Sequence, residues 1–315
     1  MRATPKTGPM LTAGLAVLAA CVTESSDLPF APLAHSFANS EWSEPVHLDA
    51  PINSPARELG ASLSPDELSL YIGSDRPGGL GAFDIWVSRR ACRDCPWEAP
   101  ANLGSNINSA GGDGNPVLSP DGLLLFFSGS RAGGHGGEDI WVSRRMDPND
   151  DLGWGPPVNL GPAVNTAGTE GGPSYVPALL GDQANLYFSR DGDIYQARVG
   201  RDGEVLAPAV PVGELNTAAT DNAPTVRRDG REIFFWSTRA GGMGGADIWM
   251  ANRGSPADPW SAPSPLGAPV NTPGADLEAK LSWDGRTLLF AAGANARPSL
   301  GFQDIWMSVR TPNGR

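Results

Sequence analysis

One motif recurs five times at nearly constant spacing. The segments GGLGAFDIWVSRR (78–90), GGHGGEDIWVSRR (133–145), GGMGGADIWMANR (241–253) and SLGFQDIWMSVR (299–310) share a glycine-containing loop, an aspartate, Ile-Trp and a basic end. A shortened copy, SRDGDIYQAR, spans 189–198. The aligned aspartates Asp84, Asp139, Asp193, Asp247 and Asp304 are separated by 55, 54, 54 and 57 residues. Five copies at one period specify five equivalent units, because each such element can bury its apolar face only against a neighbouring copy.

Each unit reads alike. A segment such as WGPPVNLG (154–161) leads to Asn-Ser or Asn-Thr, then a short run ending near LSPDG, an apolar run such as LLLFFS, the glycine-rich loop, and DIWVSRR. These pieces are rich in Val, Ile, Leu, Phe and Trp and are bounded by Gly, Pro, Asn and Asp, the pattern of strands. Asp121-Gly122, Asp229-Gly230 and Asp284-Gly285 supply hairpin turns. No window of helical length has a 3.6-residue period. Gly and Pro make up 70 of 315 residues, yet ten tryptophans call for a core. The expected fold is all-β: a five-bladed β-propeller with four strands per blade. The first strand, WSEPVHL (42–48), has the phase of an outermost strand, while the chain ends just after a third strand. The N-terminal strand is therefore expected to complete the last blade and close the ring, leaving no open edge.

The stretch LSPDGLLLFFSGSRAGGHGGEDIWVSRR (118–145) resembles the WD40-like repeat of TolB-type β-propellers, and is similar to the periplasmic propeller part of OmpA-like envelope proteins. The resemblance covers about 42–311. It implies an envelope propeller used for binding and leaves the ligand open. The chain has five units where TolB has six, and no α/β domain or peptidoglycan-binding segment accompanies them.

The remaining segments suggest export. Residues 1–21 combine basic Arg2 and Lys6, a short apolar run and Leu-Ala-Ala-Cys, which reads as a lipoprotein signal peptide with lipobox Cys21. Residues 22–41 read as a flexible tether, 42–311 as the propeller and 312–315 as a tail. Cys92 and Cys95 in CRDCPW are expected to close a local disulfide in an oxidising compartment. The predicted location is the exported bacterial cell envelope, lipid-anchored, either facing the periplasm or on the outer-membrane surface. The net charge is -12, becoming -14 without Arg2 and Lys6, which argues against nucleic acid or anionic lipid as partners. Membrane contact is expected only through the lipid anchor, and a monomer is expected.

Candidate functional residues come from the same periodicity. Every unit contains Asn-(Ser/Thr)-x-x-x-acid, ending at Glu58, Asp113, Glu170, Asp221 and Asp276. In a propeller these five acids are expected at one mouth of the central channel. Either each is used in turn formation, or the ring gathers a cation such as calcium or a basic peptide. Arg76, Arg131 and Arg239 are expected to pair with the aspartate that precedes Ile-Trp, bracing the glycine-rich loop. His135 is present in one copy only and reads as a loop residue. The third unit lacks the long loop, which predicts a notch in the wall around the mouth. No catalytic set is assigned, since acids at equivalent positions lack the unequal environments that acid–base chemistry needs. The preferred reading is a non-catalytic envelope lipoprotein binding a protein, a peptide (either of them basic), or a glycan. The alternatives are a glycoside hydrolase or lyase of the five-bladed type and a calcium-dependent binding module.

Overall fold

The computed structural model describes residues 1, 37, 40–178 and 181–312. Residues 2–36, which include Cys21 and nearly all of the expected signal peptide and tether, lie outside the described residues. Among the described residues there is no helix, and twenty strands form five four-stranded antiparallel sheets.

Strand β1 (Val46–His47) comes first. Blade 1 comprises β2 (Glu58–Leu63), β3 (Ser69–Ser74), β4 (Asp84–Arg89) and β5 (Ala101–Asn102). Blade 2 comprises β6 (Asp113–Leu118), β7 (Leu124–Gly129), β8 (Asp139–Arg144) and β9 (Val158–Asn159). Blade 3 comprises β10 (Glu170–Pro177), β11 (Gln183–Arg190), β12 (Asp193–Gly200) and β13 (Val205–Pro211). Blade 4 comprises β14 (Asp221–Val226), β15 (Glu232–Ser237), β16 (Asp247–Asn252) and β17 (Ser264–Pro265). Blade 5 comprises β18 (Asp276–Leu281), β19 (Thr287–Gly293), β20 (Gln303–Val309) and, as its outer strand, β1.

The expected closure is present. Val46 pairs with Met307 and His47 with Trp306, and the Ser43 and Leu48 amides donate to the carbonyls of Val309 and Ile305. Buried apolar residues fall into five clusters, one between each pair of neighbouring blades, the last joining blade 5 to blade 1 through Ile72, Trp86, Leu289 and Ile305. A ring must bury every joint, and this one does. Trp86, Trp141, Trp249 and Trp306 are buried within these clusters or at their edges, as blade core.

Local chemistry explains the turns. Ser119 Oγ donates to Asp121 Oδ1, the Gly122 amide donates to the Ser119 carbonyl, and Gly122 has φ 69°. Asp284 and Gly285 repeat the arrangement behind Ser282. Every inner strand also carries a bulge at one register, and its positive-φ residue is Gly60, Asn115, Gly172, Ala223 or Glu278. A bulge bends the strand and adds twist, which lets five strands approach one axis. They approach closely: a Cβ on Gly172 would lie 2.6 Å from Ala223 Cα.

Candidate active site at the axial mouth

The pairing of Glu58 with Ser74, and its equivalents in the other blades, sets the start of each inner strand beside the loop between the second and third strands. The five recurring acids therefore share a face with the glycine-rich loops. They are not free there. Each is buried, and each accepts from the Ser or Thr four residues earlier, through both its amide and its hydroxyl: 2.7 and 2.7 Å at Asp113, 2.7 and 2.8 Å at Asp276. An arginine lies against each carboxylate as well. Arg76–Glu58 is 3.0 Å, Arg131–Asp113 2.5 Å, Arg190–Glu170 3.0 Å and Arg297–Asp276 3.7 Å, and Arg239 pairs with Asp221. Each guanidinium lies over the aromatic ring of the same blade, as Arg131 does 5.2 Å from Trp141 and Arg190 4.3 Å from Tyr195.

This corrects one expectation. Arg76, Arg131 and Arg239 brace the inner-strand acids and not the aspartates before Ile-Trp. Those aspartates accept loop amides instead, as Asp139 does from His135 at 2.6 Å, and side-chain amides, as from Asn159 at 3.0 Å. Of the two uses open to Glu58, Asp113, Glu170, Asp221 and Asp276, the contacts match turn formation, since each is drawn into its own turn and its own arginine. Among the described residues, no group of three or more acidic, histidine or cysteine side chains could hold a metal ion. The preceding asparagine has a part in each joint: Asn108 accepts from the Ile85 amide at 2.8 Å and donates to the Ile85 carbonyl at 2.9 Å, pairing with the neighbouring blade like one residue of a strand. Asp276 differs from its counterparts. Burial raises its pKa, and the 3.7 Å gap to Arg297 leaves that burial incompletely offset.

Departures from the repeat are found at the axis. The bulge position is Gly, Asn, Gly, Ala and then Glu278. The residue before the conserved aspartate is Phe83, Glu138, Gly192, Ala246 and Gln303. Glu138 and Glu278 line one cavity of about 370 Å³ with Arg57, Phe83, Asn115 and Ser128. Burial pushes the Glu278 carboxyl up, the nearby Glu138 adds to the shift, and Lys280 opposes it. Glu278 is nevertheless part-open to the cavity, although protein surrounds it. It lies by the Asn115 side chain and the Gly60 amide, but its Oε2, like Asn115 Oδ1, makes no well-formed hydrogen bond. Glu138 is also raised, first by burial and then by Asp113. Lys280 is pushed down by burial, against the attraction of Glu278, and its Nζ donates to the Pro173 carbonyl at 3.0 Å. The two carboxyls of this cavity thus stand in unequal surroundings, Glu278 enclosed by protein beside Lys280 and Glu138 at the end of a loop beside Asp113.

The other singled-out residues lie elsewhere. Cys92 and Cys95 are joined as a disulfide in the connection between β4 and β5, on the opposite face. His135 is exposed at a loop tip.

No protein-family model matches the chain, and no curated protein matches it. Solved structures do. The α-L-arabinofuranosidase PaAbf62A from Podospora anserina is 13% identical with a TM-score of 0.57, over 86% of this chain and 97% of that one. A thermostable family-43 glycoside hydrolase is 14% identical with a TM-score of 0.56, over 84% and 96%. A putative TolB from Agrobacterium tumefaciens is 18% identical with a TM-score of 0.47, over 80% and 77%. At these identities the likeness is one of fold. The preference for a non-catalytic binding role is corrected by these structures: the five-bladed fold is shared with arabinofuranosidases and a family-43 enzyme, which favours the glycoside hydrolase alternative. The premise behind that preference fails too. The acids at the axis are single-copy and unequal, not one set repeated in every blade.

Proposed function

We propose that this chain is a glycoside hydrolase acting on neutral glycans, with Glu278 as the proton donor to the leaving oxygen and Glu138 as the second carboxylate. The observation that carries this reading is the pair itself: two acids that break a fivefold repeat, meeting in one cavity at the propeller axis in unequal surroundings. Glycoside cleavage needs one carboxyl kept protonated near neutral pH and one available as base or nucleophile. Burial makes Glu278 the donor. Glu138 lies on the less crowded rim, at the end of the blade 2 loop, and takes the ionised role. The ionised Glu138 and the negative net charge disfavour uronate or sulfated sugars. The fold shared with arabinofuranosidases supports furanosides as the first substrates to try.

The test is release of aryl leaving groups from α-L-arabinofuranoside, xyloside and matched pyranosides. Glu278→Gln and Glu138→Gln are each expected to lower kcat by about 10²–10⁴. Absence of turnover on the whole panel, or turnover indifferent to both substitutions, would refute the assignment. We further propose export and lipidation at Cys21, supported by the Leu-Ala-Ala-Cys pattern. Incorporation of a labelled fatty acid that is lost in Cys21→Ser would bear this out, and equal labelling of both would count against it.

A further inference from the structure

Four of the five blades raise a wall around the cavity, and the fifth does not. The connections between second and third strands span nine residues in blades 1, 2, 4 and 5 (75–83, 130–138, 238–246 and 294–302), but only Asp191 and Gly192 in blade 3. The long loops lean on the next blade: the Ala82 amide donates to the Gly111 carbonyl, Gly137 to Gly168, and Gly245 to Gly274. Gly301 packs so closely on the Ala56 carbonyl that a Cβ there would overlap it. The rim therefore runs from blade 4 through blades 5 and 1 to blade 2 and drops over blade 3, where the short turn is held to Thr169 and Asp221. In a five-membered ring, the side opposite blade 3 is the joint between blades 5 and 1. The loop there carries Phe302, 76% exposed, with Leu300 beside it.

We propose that the substrate is a neutral polysaccharide chain lying across this face, entering through the gap over blade 3, passing over Glu138 and Glu278, and packing a sugar ring on Phe302. The proposal rests on the glycoside hydrolase reading and deepens it. A closed rim would suit a single terminal sugar, whereas a rim open on one side gives a chain a path out of the cavity. The C–H face of a neutral sugar is apolar and packs well on an exposed aromatic ring. The ionised Glu138 at the cavity disfavours a polyuronate and accepts a neutral chain.

Two variants test the path. Phe302→Ala changes an exposed side chain only. Replacing Asp191–Gly192 with the blade 4 loop 238–246 would close the gap, and its melting temperature reports whether it folds. Each is measured on a soluble arabinoxylan, on an aryl arabinofuranoside, and by retention in gels containing arabinoxylan or polygalacturonate. The expected result is a tenfold or greater fall in kcat/KM on arabinoxylan, with the aryl substrate within twofold, and gel retention by arabinoxylan that weakens in both variants. Unchanged activity on the polymer, an equal fall on both substrates, or equal retention by polygalacturonate would overturn the proposal. If no aryl glycoside is turned over, the hydrolase reading fails by itself. The groove is then judged by retention: loss in Phe302→Ala supports it, and absence of retention in the unmodified chain refutes it.

Discussion

Ring closure should weaken as pH rises, because a histidine stands at the clasp. In blades 1 and 2 the outer strand presents Asn102 or Asn159, whose side-chain amide donates to the buried aspartate of the third strand at 2.9 or 3.0 Å. In blade 5 that place is taken by His47, with Nε2 2.6 Å from Asp304 and Nδ1 2.9 Å from Asp49. Burial opposes charge on His47, but the hydrogen bonds and attraction from Asp49 and Asp304 outweigh it, so its pKa is raised above 6.5. A raised histidine stabilises the fold fully below the unfolded value of 6.5, and that contribution is lost as pH rises through the folded value. Asp304 is fully buried and the His47 side chain is 18% exposed, so this charge-assisted bond is worth about 1.5–3 kcal/mol. The Asp49 side chain is 89% exposed, and its bond adds at most about 1 kcal/mol after screening. About 2 kcal/mol in a domain of this size is a fall of about 4–8 °C in melting temperature. Thermal unfolding followed by circular dichroism from pH 5.5 to 9 would measure it. His47→Asn restores the donor used in blades 1 and 2 and should lose this pH-dependent part, while His135→Asn should keep it. Glu278 also titrates, and because its folded pKa is raised, its ionisation likewise costs stability as pH rises. The His47→Asn difference removes that shared slope. An identical slope in His47→Asn and the unmodified chain would refute the reasoning, as would a midpoint that rises across the window.

The braces and the bulges make further predictions. Asp113→Asn leaves the buried Arg131 without its counter-charge and should cost about 3–5 kcal/mol, read as a lower urea midpoint. Gly172→Ala meets Ala223 at 2.6 Å with φ 59°, whereas Gly161→Ala, at φ 73°, meets nothing within 4 Å. The first should cost about 2 kcal/mol more than the second, since only it adds overpacking to backbone strain, and equal losses in the two variants would contradict the crowding at the axis. Millimolar calcium should leave the melting temperature unchanged, because the recurring acids are already engaged; a rise removed by Asp221→Asn would show otherwise.

The architecture was legible because repetition is a one-dimensional signal. The five DIW/DIY motifs counted the blades, and the unpaired phase of Trp42–Leu48 placed the closing strand. The arginine pairing misled because chain proximity stood in for strand register. Arg76 is eight residues from Asp84 and eighteen from Glu58, yet the antiparallel pairing of Glu58 with Ser74 sets Arg76 against Glu58. The axial acids were hidden for the opposite reason. Glu138 and Glu278 are 140 residues apart and sit at registers where the other blades carry Phe, Gly, Ala, Gln or Asn. Repetition marks what the ring needs in order to close. Chemistry at its centre requires asymmetry, and in a single sequence that is visible only as a break in the pattern. No residue type announces the bulge either: Ala223, Asn115 and Glu278 take positive φ at the register where Gly60 and Gly172 stand in the other blades, as the bulge geometry requires.

The seam itself has a consequence for how such a chain can be rearranged. In blades 1, 2 and 4 a covalent loop links the arginine just after the third strand to the tryptophan it stacks on: Arg90 to Trp97, Arg145 to Trp154 and Arg253 to Trp260, at 4.3, 4.4 and 3.9 Å. At the seam Arg310 stacks on Trp42 at 4.7 Å with no such link. The termini of the propeller thus occupy the place of one of these loops, cut open. A peptide joining Thr311 to Trp42, with new ends introduced within 254–259, would give a circular permutant that also keeps the Asp151 contacts to Ser69, Tyr71 and Arg89 between blades 1 and 2. The position of the chain break is then a matter of gene order and not of architecture.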